Sequence, residues 1–302
     1  MDSHTIWLHR YSLLLACMTL FLVVAGGTVT SKEAGLSVPD WPLSYGQIMP
    51  KMKGGIFYEH GHRMVATTVG FMTIVIAVWL WRSDPRAWMR WLGLAALAGV
   101  IVQGVLGGIT VLFLLPKPVS ISHACLAELF FSTTCAIALF TSPGWKRAPV
   151  IIEPQGWSSR PSSILWLPVA VLAQVALGAA FRHKALDLVY HVLGAAAVTG
   201  LVLHACITLL MHFPRHEALR RTAFSLIAIT FAQVFLGVAA YMSRVATAGD
   251  PQPMPVMVLF TVAHVAMGAL TMAFSVLLVI QVHRHACPGN PEPLRVEYAS
   301  HA

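Results

Sequence analysis

Charge is what this sequence has least of. Asp, Glu, Lys and Arg together make up 11% of the chain, less than half of the roughly 25% usual in a water-facing domain, which excludes a soluble globule. Acidic residues are the scarcer sign, 12 against 20 Lys and Arg. The basic excess does not gather into a face that would hold a polyanion. It is split into short clusters between apolar runs, so no nucleic acid partner is expected. Cysteine is sparse as well: Cys17, Cys125, Cys135, Cys206 and Cys287 include no C-x-x-C pair, and four of them lie inside apolar runs. Neither a structural zinc nor a disulfide framework is indicated.

What is abundant is apolar sequence, 57% of the chain, arranged in eight runs near residues 11–30, 63–81, 91–115, 119–141, 164–181, 187–211, 222–242 and 255–282. Each is long enough to cross a hydrocarbon core as a helix. The expected fold is an all-α membrane protein of eight transmembrane helices. Met1–Arg10 is too short and too poor in Arg and Ser for a mitochondrial transit peptide, and no clear cleavage site follows Tyr11–Thr30, which reads as a retained first span. A bacterial plasma membrane therefore fits better than an organelle. Twelve Lys and Arg fall on the side of the N-terminus and eight on the other, which sets both termini inside.

A Pro-, Gly- and Ser-rich stretch, Ser142 to Ser163, divides the chain into two four-helix halves. The expected organisation is an N-terminal half over 1–145, a cytoplasmic linker over 146–163, a C-terminal half over 164–282 and a polar tail over 283–302. The halves read as pseudo-repeats. Q-x-x-L-G occurs at Gln103–Gly107, Gln174–Gly178 and Gln233–Gly237, and Gln103 and Gln233 stand 130 apart while His62 and His191 stand 129 apart. His123 and His264 are 141 apart, the excess matching a longer Pro-rich loop at Thr247–Pro255.

Of the fourteen histidines, His4, His9, His212, His216, His283, His285 and His301 lie at inner ends or tails, and His60 and His183 in outer-loop positions. All of these are expected to be solvated or to lie at headgroup level. His62, His123, His191 and His264 differ, for each lies early in an even-numbered span and all four fall at one depth near the outer surface. Ionisable groups within spans are costly and mark function. Two imidazoles on neighbouring helices can grip a flat macrocycle from both faces, so the four are expected as axial ligands of haem iron: His62 with His123, and His191 with His264. A compact zinc or copper ion would need more converging donors, and Cys125, two residues from His123, faces the wrong way.

The halves are not equivalent. Glu59 precedes His62 by three residues, where the other histidines have Ser120, Leu188 and Thr261. A carboxylate beside a ligated iron can act as a general acid or base, which makes the first half the expected reaction site; pairing of Glu59 with Arg63 is the plainer alternative. Arg63, Arg182 and Arg244, at outer span ends, are candidates for propionate contacts or for snorkelling to headgroups. Glu128, five residues past His123, is buried in its span without an evident role.

These strings together resemble the haem A synthase family: GGTVTSKEAGLSVPDWPLSYG (Gly26–Gly46), EHGHR (Glu59–Arg63), QGVLGG (Gln103–Gly108), SISH (Ser120–His123), YHVLGA (Tyr190–Ala195) and HVAMGAL (His264–Leu270). The resemblance covers nearly the whole span region. It implies oxidation of the C8 methyl group of haem O to the formyl group of haem A, with O2 as oxidant. It further implies that His62 and His123 flank the substrate haem, that Glu59 assists catalysis and that His191 and His264 ligate a resident haem B. Expected partners are the bilayer, a haem O synthase, an electron donor that the sequence does not specify, and a second copy of the chain. One departure stands out: where many family members carry a cysteine pair around D-W-P, this chain has Val38 and Ser44. A non-catalytic two-haem cytochrome and a haem or metal transporter are the rival readings.

Overall fold

The computed structural model describes residues 3–149 and 162–285, so most of the expected linker and tail, with Cys287 and His301, lies outside the described residues. Within them the chain is all-helical: α1 (Ser3–Ser31), α2 (Gly55–Ser83), α3 (Ala87–Leu112), α4 (Lys117–Thr141), a one-turn α5 (Pro143–Lys146), α6 (Ser162–Arg182), α7 (Leu188–His212), α8 (Glu217–Ala246) and α9 (Pro255–His285). All but α5 are long and apolar enough to span a membrane. The protein is a multi-pass membrane protein, as its apolar runs indicate.

Helix is the form these runs take because lipid offers no partner for a free N–H or C=O. Their buried hydroxyls obey the same rule locally. Ser12, Thr19, Thr73 and Thr230 each donate to the carbonyl four residues earlier, so none needs a water or a partner helix.

In the N-terminal half α1 packs on α2 and α4, α2 on α3, and α3 on α4; in the C-terminal half α6 packs on α7, α7 on α8, and α8 and α6 on α9. The first ring encloses Leu15, Val69, Ile76, Leu80, Met89 and Ile137, the second Leu167, Val202, Leu209, Leu219, Leu226 and Leu278. A third cluster of Phe131, Ala269 and Ala273 with Leu20 and Val23 seals α1 and α4 against α9. Large side chains such as Phe71, Trp91, Leu193 and Phe235 face outward. Lipid tails are as apolar as these cores, so dispersion and close fit hold the helices together.

Three odd-numbered spans end alike. After α1, α3 and α6 the chain turns through Glu33, Leu114 and Lys184 with φ of 56°, 58° and 55°. The following amides of Ala34, Leu115 and Ala185 return to Val29, Thr110 and Ala180 at 2.9, 2.7 and 2.8 Å. This double-bonded cap consumes carbonyls that the bilayer would leave bare, but its left-handed residue is normally glycine. An L-residue there costs about 1 kcal/mol. Lys184→Gly is therefore expected to raise the stability of the folded chain by about that amount, measured as a higher midpoint of thermal unfolding in detergent; an unchanged or lower midpoint would contradict it.

Candidate active site

Each of the four intramembrane histidines lies close against a glycine of the preceding span, with Cε1 the nearest ring atom. A Cβ built on Gly26 would stand 3.1 Å from Cε1 of His62, and one on Gly107 would stand 3.4 Å from Cε1 of His123. For Gly178 and His191 the figure is 2.9 Å, and for Gly237 and His264 it is 2.8 Å. The glycines lie towards the C-terminal ends of α1, α3, α6 and α8, and the histidines towards the N-terminal ends of α2, α4, α7 and α9. In antiparallel neighbours both positions fall at the same end of the bundle. The missing side chain lets an imidazole approach the bare backbone closely.

The rings also meet in pairs. His191 and His264 have centroids 6.1 Å apart and planes at 89°, and His62 lies within electrostatic range of His123. Two imidazoles sharing one metal, each with a metal–nitrogen bond of roughly 2 Å as found for zinc, have centroids about 6 Å apart. The His191–His264 spacing meets that requirement. Nδ1 of both His62 and His123 is buried without a hydrogen-bond partner among the described residues. No group of three or more His, Cys, Asp or Glu converges among those residues, so the donor set is two imidazoles per site. That set is incomplete for a bare ion and complete for a metal whose other four ligands come from a macrocycle. The residues present fit haem.

A latch covers the first pair. Because α2 begins at Gly55 rather than near 63, Glu59, His60, His62 and Arg63 all lie on helix. Their polar groups tolerate this position because the loop between α1 and α2 meets them. Glu59, 4% exposed, accepts from the Val38 amide at 2.8 Å and from Arg63 at 2.7 Å. Arg63 also donates to the carbonyls of Asp40 at 2.8 Å and Leu43 at 2.9 Å. Ser44 is hydrogen-bonded to Nδ1 of His60 at 2.8 Å. Val38 and Ser44, the positions without cysteine, are therefore both pinned to α2 by hydrogen bonds. The loop tip is held by Asp40, whose carboxylate accepts from the amides of Tyr45 at 2.6 Å and Gly46 at 2.8 Å. Trp41 lies against Gly108, next to the glycine under His123; a Cβ on Gly108 would come within 2.8 Å of the indole.

Other expected positions resolve differently. His60 is 6% exposed, which corrects the expectation of a solvated loop residue: the early start of α2 and the Ser44 contact bury it. His216 and His285 are also buried, with ring centroids 4.4 Å apart. They are not the solvated inner-end residues that their sequence positions imply, because the N-terminal end of α8 folds against the C-terminal end of α9. His183, just past α6, is half-buried, and burial followed by the Arg182 charge pushes its pKa down. Arg182 donates to the Thr30 carbonyl of α1, and Arg244 is exposed near it. Cys125 lies beside Glu128, whose Oε2 is buried without a partner among the described residues. His204 sits on an exposed face of α7, a position the sequence reading did not single out.

Comparison with known proteins follows the same residues. The profile of the cytochrome oxidase assembly protein family, COX15-CtaA, matches residues 9–55 and 51–193, more than half of the chain. The chain belongs to this family. The match takes in His62, His123 and His191, the Glu59 latch and the loop. Among relatives, the protein named "Heme A synthase" from Symbiobacterium thermophilum is 29% identical over 182 residues, 58% of this chain and 59% of the relative. Namesakes from Chelativorans sp. and Alkalihalophilus pseudofirmus are 27% identical over 212 residues and 28% over 134. They are matched over 57% and 43% of this chain and 55% and 44% of their own. The chain thus spans about half the length of the curated relatives it matches.

The loop latch has a pH signature. The Gly46 amide, then Tyr45 and Arg63, hold the Asp40 carboxyl below its ordinary value of 3.8 against the opposing effect of burial. A lowered folded-state pKa gives a contribution that is present above the ordinary value and lost as pH falls through the lowered one. Acidification below pH 3.8 is therefore expected to raise hydrogen exchange at the Tyr45 and Gly46 amides, and Asp40→Ala should raise it already at neutral pH. Equal exchange in variant and parent across that range would rule the latch out.

Proposed function

We propose that the chain is a haem A synthase, a membrane oxidoreductase that converts the C8 methyl group of haem O to the formyl group of haem A, with O2 as oxidant. The observation carrying this reading is the inequality of two otherwise similar histidine pairs: only the pair in the N-terminal half has a buried carboxylate, Glu59, one helical turn from a ring. Family membership and the haem A synthase relatives support the same reading.

In it, His62 and His123 would hold the substrate haem and His191 and His264 a resident haem B, which would supply redox chemistry with electrons from a donor outside the chain. Glu59 is placed to take or give a proton beside His62. Its Oε2 accepts the Val38 amide, one of several bonds that hold the loop to α2, so gaining a proton there loosens the loop at Val38. Trp41, lying on Gly108, keeps water from the outer edge of the first site, which strengthens charge interactions inside it. Arg63 is engaged by Glu59 and the loop, and Arg182 by the Thr30 carbonyl, so among the three outer arginines the exposed Arg244 is the better placed for a propionate. The setting is a bacterial plasma membrane with both sites towards its outer side, a haem O synthase as supplier, and self-association of the chain as a further expectation.

The test is to co-express the full chain with a source of haem O and analyse the haem extracted from the purified protein. Haem A or hydroxylated haem O is expected. Glu59→Gln should cut that yield by a factor on the order of 100, the usual worth of a general acid or base, while leaving haem bound. An extract of haem B alone, with cellular haem A unaffected by Glu59→Gln, would overturn the enzyme and leave a two-haem electron carrier.

A further inference from the structure

The end of the bundle opposite the four histidines holds a groove that haem chemistry does not use. The C-terminal ends of α4 and α9, the N-terminal end of α3 and the short α5 enclose about 590 Å³ there. Both α3 and α9 pack on α4, and the groove is the space left between them. Its wall is a fixed set of rings. Phe140 meets Trp88 edge-on with centroids 4.8 Å apart, and meets Trp145 with centroids 4.7 Å apart. Val279 and Ile280, about one turn before Arg284 on α9, line the other side.

The mouth is cationic. Arg284 lies over the Trp145 ring, 3.9 Å from its centroid, and its Nη2 donates to the carbonyls of Trp145 and Arg147, each at 2.6 Å. Both bonds come from one nitrogen, so Nε and Nη1 keep their N–H groups for a further acceptor. Arg86 lies over Trp88 at 5.0 Å and donates to the Phe140 carbonyl at 3.2 Å. Lys146 ends α5 and Arg147 follows it, both exposed; the Lys146 amine donates to the Thr5 hydroxyl at 2.9 Å. Asp84 lies within electrostatic range of Lys146, but Arg86 already holds it through both carboxylate oxygens, at 2.9 and 2.7 Å. Lys146, Arg147 and Arg284 thus have no carboxylate of their own among the described residues.

Three chemistries are stacked here in the order that a lipid presents them. Aliphatic side chains lie deepest and suit methylenes. Indoles come next, at the level where they settle beside the glycerol region. Cations lie at the mouth, and a basic pocket between spans is suited to an anionic headgroup. A free inorganic anion would use the cations alone and gain nothing from the walls.

We infer that this groove binds one anionic phospholipid, its phosphate among Arg284, Lys146 and Arg147 and its upper chains along Val279, Ile280 and the rings. The inference rests on the membrane-spanning fold and stands apart from haem ligation. Because α3 and α4 belong to one half and α9 to the other, the lipid joins the halves at the end away from the histidines.

The experiment uses the full chain purified in detergent and offered equal amounts of phosphatidylglycerol and phosphatidylcholine. Native mass spectrometry should show one phosphatidylglycerol retained in preference to phosphatidylcholine. The exposed pair Lys146→Gln and Arg147→Gln should reduce that preference about fivefold per charge removed, the usual worth of a basic residue at an anionic surface. Phosphatidylglycerol brominated on its chains should quench tryptophan fluorescence more than brominated phosphatidylcholine does. That excess should vanish in the conservative double variant Trp88→Phe, Trp145→Phe. Equal retention of the two lipids, a preference unchanged by the charge variants, or an excess of quenching that persists without the two indoles overturns the inference. So does displacement of the lipid by millimolar inorganic phosphate, which would make the site one for the anion alone. A groove filled by the chain's own residues 150–161 or 286–302 would give no excess quenching, and that result also overturns it.

Discussion

An imidazole seated close against a helix needs a place where the neighbouring helix has no side chain, and the whole arrangement follows from meeting that need four times. The glycine must sit near the C-terminal end of one span and the histidine near the N-terminal end of the next, so the two helices are locked in register as antiparallel neighbours. The register in turn decides which faces turn inward, where Gln103, Gln174 and Gln233 point, and at what depth the rings lie. A Cβ on Gly178 or Gly237 would come within 3.0 Å of its ring and force a shift, whereas on Gly26 or Gly107 it would stand at 3.1 and 3.4 Å.

Helix α1 is the shared wall. Successive residues on a helix point about 100° apart, and the adjacent glycines of α1 use this. Gly26 meets His62 of the N-terminal half, while a Cβ on Gly27 would stand 3.5 Å from Val265, next to His264 of the C-terminal half. The seam of Phe131, Ala269 and Ala273 continues this contact. The two sites therefore share a backbone, and the loop that covers the first of them grows directly from α1.

The spans and the common depth of His62, His123, His191 and His264 were legible in the sequence because apolar length and histidine spacing are both one-dimensional signals. The fate of His60 was not. Its burial depends on α2 starting before its apolar run, which depends on Ser44, Val38 and Arg63 coming together across the loop. His216 and His285 were obscured for a similar reason, since only packing of α8 on α9 removes them from water. The glutamines were visible as markers of repetition, but their contact with the rings of His123, His191 and His264 requires the glycine register.

Arg182 reaches from the end of α6 to the Thr30 carbonyl at the end of α1. Both helices end there with the negative poles of their dipoles, and two such poles repel when brought together. The guanidinium between them turns a mutual repulsion into a tie across the midline of the molecule. The spacing of α1 and α6 at that end is thus held partly by one cationic strut. Being half-buried, that strut is less exposed to screening by salt than a surface pair.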